Sequence, residues 1–65
     1  MDKDKLVAVV LKQIDDRVAL LTEVLAAGRP DDYASYKKIC GEIQGMQTVR
    51  LYIVILTKDT EFEDE

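Results

Sequence analysis

Histidine is absent from the 65 residues, and cysteine occurs once, at Cys40. An intrachain disulfide is therefore excluded. A zinc site lacking both histidine and a second cysteine would be short of ligands, so no metal is expected. The charged start, Met1-Asp2-Lys3-Asp4-Lys5, followed by an apolar run that breaks at Lys12, does not make a signal peptide. With a single cysteine, it fits a reducing, intracellular setting. Long apolar runs are missing too. The longest, Leu6–Leu11 and Leu51–Leu56, are six residues each, far short of the roughly 18 that suggest a membrane span. No membrane partner is expected.

A chain of this length is one domain at most, and folding alone it hides only about 60% of its unfolded surface. Small scaffolds usually compensate with disulfides, a metal or oligomerisation. The composition leaves the third.

The net charge of −4 is unevenly placed. The last seven residues, Asp59-Thr60-Glu61-Phe62-Glu63-Asp64-Glu65, hold five acids and no base, leaving a body of nine basic and eight acidic residues. Residues 59–65 are read as an acidic, disordered tail that aids solubility, or else one that docks on a basic partner surface.

The body divides at one turn. Val7, Leu11, Ile14, Val18, Leu21 and Leu25 recur at 4-3-4-3-4 spacing, which places all six on one stripe of a helix over residues 4–27. Gly28 can take the left-handed conformation that ends a helix, and Pro30 cannot continue one. In the turn over 28–32, Asp31 or Asp32 can cap a second helix by accepting hydrogen bonds from its free N–H groups. That helix is predicted over 33–58, with Tyr36, Ile39, Ile43, Met46, Val49, Ile53 and Leu56 as its stripe. The stretch 49–57 is rich in β-branched and aromatic residues and could favour a strand, but a lone strand would find no partner elsewhere in the chain. Both helices would be roughly 36–39 Å long, and a short connection makes them antiparallel neighbours. The fold class is all-α: a two-helix antiparallel hairpin that oligomerises into a helical bundle.

The apolar residues exceed what one seam can bury. Leu6, Val10, Leu20 and Val24 form a second row on the first helix, and Leu51–Leu56 is apolar around the whole circumference. Each such side chain left in water forgoes about 1.5–3 kcal/mol. Gly41 and Gly45 each cost about 0.8–1 kcal/mol inside a helix relative to alanine. Their spacing forms a notch, extended by Ala34 and Thr48, that would admit another backbone or, equally, a bulky side chain of the first helix. Gly41, Gly45, Met46, Leu51, Tyr52, Ile55 and Leu56 are the candidate interface, for a homo-oligomer or another protein.

No enzyme is expected. Asp15-Asp16 and Asp31-Asp32 are sequence neighbours, which point about 100° apart on a helix and do not share a site. Cys40 has no histidine to activate it. Gly41–Gly45 lacks the lysine and preceding strand of a phosphate loop, so no cofactor is expected. Lys37, Lys38 and Arg50, with Tyr33 and Tyr36 beside them, give the second helix a modest basic and aromatic character. A near-neutral body and an acidic tail argue against nucleic acid.

The segment Tyr33-Ala-Ser-Tyr36-Lys-Lys-Ile39-Cys40-Gly41-Glu-Ile43-Gln-Gly45-Met46-Gln resembles small helical proteins encoded among the virion-structure genes of tailed bacteriophages, near those for portal and capsid. In these a tyrosine precedes a Cys-Gly step and then an Ile-x-Gly-Leu step, and the chain ends in an acidic tail. Met46 stands where leucine is the pattern. The resemblance covers 15 residues and carries no catalytic residue. It implies a structural or assembly protein acting through helix–helix contacts with itself or with phage structural proteins, located in the virion or the host cytoplasm. Two other readings remain open. In architecture, though not in motif, the chain is similar to RNA-binding plasmid copy-number regulators of the Rop type, helical hairpins that dimerise into four-helix bundles. It could also be a phage-encoded inhibitor of a host protein.

Overall fold

The structure, a computed structural model, describes the backbone of residues 3–63 and the side chains of residues 3–58. It consists of two helices, α1 (Lys3–Ala26) and α2 (Tyr33–Glu63), and no strand among the described residues. Side by side they make a rod of 51 × 18 × 14 Å. The β-branched stretch 49–57 is helical, because its helical neighbour offers side-chain packing and nothing offers it a strand partner. α2 also continues past Lys58, where the sequence reading ended it, through five residues of the segment expected to be disordered. No glycine or proline follows Gly45 to stop it, and glutamate is a good helix former. The expected tail residues 64–65 lie outside the described residues.

The turn is built by backbone geometry at a few named positions. Gly28 has φ +70°, which only glycine adopts without a Cβ penalty. Its N–H donates to the Leu25 carbonyl at 3.0 Å, and the Arg29 N–H donates to the Val24 carbonyl at 3.2 Å. These two bonds are the Schellman closure of a helix C-terminus. Of the two candidate caps, Asp32 acts: its Oδ1 accepts the Ser35 N–H at 2.7 Å, three residues into the helix. The first turn of α2 closes with the Tyr36 N–H on the Asp32 carbonyl at 3.1 Å.

All six stripe residues of α1 turn inward, with Val24 beside them half-buried as well. Leu21 is the most buried at 6% exposure, and Val7, Leu11, Ile14, Val18 and Leu25 are half-buried. On α2 the inward positions are Ile39, Ile43, Met46, Arg50, Ile53 and Thr57, again at 4-3-4-3-4 spacing. The stripe expected from sequence also includes Tyr36, Val49 and Leu56: Tyr36 keeps the spacing but is 46% exposed at the turn end, and Val49 and Leu56 lie one position aside, 49% and 64% exposed. Arg50 and Thr57 can take the seam because their polar ends are satisfied. Arg50 lays its stem along the seam and donates from Nε to Asp15 Oδ1 at 2.7 Å and from a terminal nitrogen to Oδ2 at 3.3 Å. The Thr57 hydroxyl donates back to the Ile53 carbonyl at 2.7 Å.

Two ion pairs cross between the helices: Arg50 with Asp15, and Arg17 with Glu42 at 3.0 Å. Asp15 and Arg17 are two residues, or about 200°, apart on α1, so the pairs flank the seam on either side. Exposed pairs of this kind add little energy; here they pin the antiparallel register. A third pair, Lys12 with Asp16 at 2.9 Å, lies within α1. The two carboxylates of Asp15-Asp16 are thus divided between different cations.

Candidate interaction surface

The hairpin buries little. Leu21 is the single buried hydrophobic side chain among the described residues, whereas large apolar residues on both helices stay more than a third exposed. On α1 these are Leu6, Val9, Val10 and Leu20, which include three of the second row read from sequence. Val24 from that row is half-buried. Leu6 and Val10 flank the stripe, whereas Val9 and Leu20 lie on the outer face of α1 beside Asp16 and Glu23.

On α2, Leu51, Tyr52, Ile55 and Leu56 are between 47% and 64% exposed. Gly41 and Gly45 are exposed as well. A Cβ built on either meets nothing within 4 Å, so neither glycine makes room for α1. Of the seven interface candidates, Met46 alone is half-buried in the hairpin seam; the other six sit on the solvent side.

Between them runs a feature that sequence reading grasped only in part. Ala34, Lys38, Gly41, Gly45, Thr48, Tyr52 and Ile55 are all exposed and follow each other at 4-3-4-3-4-3 spacing. This is a second heptad row, on the side of α2 opposite the first. The strip of Ala34, Gly41, Gly45 and Thr48 was visible in the sequence. Its continuation into Tyr52 and Ile55 was hidden by the apolar run 51–56, which has no periodicity of its own. The Thr48 hydroxyl is tied to the Gln44 carbonyl at 2.9 Å, so it seeks no partner outside.

Titratable groups show local effects only. The Arg50 guanidinium, by its hydrogen bond, holds the Asp15 carboxyl below the ordinary carboxylate value. The Ser35 backbone N–H does the same for Asp32. The Tyr36 phenol is pushed up, first by its hydrogen bond with Cys40. Tyr33 and Tyr36 stand with ring centroids 6.3 Å apart at the turn end of α2. An open depression of about 490 Å³ beside the C-terminal end of α1 is lined by Leu20, Glu23, Val24, Ala26, Ala27 and Arg29. No cluster of three or more metal-ligating side chains exists among the described residues, and no described helix is long and apolar enough to cross a membrane.

Comparison with family models, curated proteins and solved structures finds no match to this chain.

Proposed function

We propose that the protein is a non-enzymatic assembly component that acts by helix–helix association. One observation carries this reading: among the described residues the hairpin buries only Leu21 and leaves eleven large apolar side chains more than a third exposed. Exposed apolar surface of this extent marks an interaction site, and helices present it here in rows suited to further helices. The resemblance of Tyr33–Gln47 to virion-gene proteins of tailed phages supplies the setting, a virion or the cytoplasm in which one is assembled. Light scattering of the purified protein tests the central claim. A mass of two or more chains is expected, and a stable particle of 7.4 kDa would sink it. Mass spectrometry of purified virions tests the setting, where absence from particles removes the structural role.

A second reading, RNA binding in the Rop manner, is favoured by the exposed Tyr33–Tyr36 pair next to Lys37 and Lys38. Aromatic faces with adjacent cations are how unpaired bases are held. A gel shift against structured RNA at physiological salt, with no retarded band, disposes of it. No contact singles out a host protein, so inhibition of one is not taken further.

A further inference from the structure

We infer that the outer row of α2 is the docking surface for a second copy of this chain, packed α2 against α2 in antiparallel fashion with Gly41 of one copy facing Gly45 of the other. The inference rests on the association reading above and gives it a geometry.

The amount of surface is the first argument. A compact monomer of 7.4 kDa exposes about 4,200 Å² by the scaling of folded proteins. The whole chain exposes 5285 Å², more than that scaling gives. A standard interface takes about 800 Å² from each partner, so the exposed surface is ample for one docking event.

Self-complementarity is the second. A two-fold axis crossing α2 beside Ile43 relates each position n to position 86 − n of the other copy. Six of the seven positions of the outer row then pair with one another: Ala34 meets Tyr52, Lys38 meets Thr48, and Gly41 meets Gly45, while Ile55 falls opposite Asp31 at the turn. The largest side chain in the row falls opposite one of the smallest. The two glycines come together at the centre, where the backbones can approach most closely. The apolar end with Leu51 and Ile55 reaches the first turn of the other copy, where Tyr33 is 73% exposed. Sliding by one heptad breaks this match. With positions summing to 93, Lys38 lies against Ile55; with a sum of 79, Tyr52 passes beyond the helix into the turn. Nothing within the hairpin occupies the centre of the row, since a Cβ on Gly41 or Gly45 would meet open space. The notch costs helix stability and returns nothing to the hairpin, so its use must lie between chains.

The test is chemical crosslinking of the full chain carrying Cys40→Ser, Ala34→Cys and Tyr52→Cys, with a short bifunctional thiol reagent. Within one helix the two new thiols are 18 residues, about 27 Å, apart and cannot be bridged. The expected product is a covalent dimer whose linked peptides join position 34 to position 52. Links of 34 to 34 and 52 to 52 would show parallel packing and overturn the geometry, as would an oligomer by light scattering that gives no crosslink. Either result leaves association itself standing, whereas a monomeric wild-type protein removes both. A second variant, Gly41→Leu with Gly45→Leu, guards against an effect of the Tyr52 substitution. It is expected to lose the dimer mass while its helical circular dichroism is kept or increased, and retention of the dimer would overturn the proposal.

Discussion

Gly28 is the residue on which the turn depends. At φ +70° any Cβ is strained, by roughly 1–2 kcal/mol for a residue forced into the left-handed region. Gly28→Ala is therefore expected to lower the unfolding free energy by about 1 kcal/mol or more, read as a lower urea midpoint at unchanged slope. Asp32 acts on the other side of the turn, and its role is tied to charge. Its carboxyl is held below the ordinary 3.8 by the Ser35 N–H, so the ionised form favours the folded chain. That contribution is fully present above the unfolded-state value and is lost as pH falls through the folded-state value. Asp15, lowered by Arg50, follows the same sign. The thermal midpoint is thus expected to fall as the pH drops below about 3.8 and to stay level above about 5. Asp32→Asn keeps a cap without the charge: it should hold most of the stability at pH 7 and show a shallower acid decline. Asp32→Ala should lose a few degrees at pH 7.

At the scale of the element, α1 and α2 differ in how far their sequences reveal their packing. The α1 stripe is a clean heptad with charges off it, and all six of its residues turn inward. With Tyr36 left 46% exposed at the turn end, the stripe of α2 is legible from Ile39 to Met46. Beyond that, strict spacing leads to Arg50 and Thr57, which a hydrophobic reading skips in favour of Val49 and Leu56. What admits the polar pair is tertiary: a carboxylate supplied by α1 for Arg50, and a local carbonyl for the Thr57 hydroxyl. The carboxylate lies 35 residues away, out of reach of any periodicity argument. The helical bond for Thr57 is local, but it matters only once the seam's register is known. The run Leu51–Leu56 likewise hides which face meets α1, because every face is apolar. The two positions give a direct comparison. Ile53→Ala removes half-buried seam contacts and is expected to cost the hairpin about 1–2 kcal/mol, below the range for a fully buried isoleucine. Val49→Ala, on the exposed side, should stay within about 0.5 kcal/mol. Equal losses in urea titrations at a concentration where both variants are dissociated would return Val49 to the seam.

At the scale of the whole molecule, the two helices close one seam and expose another. A chain whose interior is a single row on each helix sits at the low end of domain stability, and most of what could stabilise it further faces outward. On the proposed association the folded state gains stability with concentration, so its melting should depend on concentration. For a dimer that unfolds to separated chains, each tenfold dilution removes RT ln 10, about 1.4 kcal/mol, from the folded state. Spread over the unfolding entropy of two such chains, this is a fall of about 5 °C in the thermal midpoint. A hairpin that folds alone has no such term, and its midpoint stays fixed at every concentration. Melting curves by circular dichroism over a hundredfold range are therefore expected to move by about 10 °C. The Gly41→Leu, Gly45→Leu variant supplies the internal control, because it removes the outer seam and leaves the inner one intact. Its midpoint should be lower than the wild type at high concentration and should no longer move on dilution. A wild-type midpoint that does not move would place all the stability in the inner seam, and the exposed face of α2 would then have no part in holding the fold together.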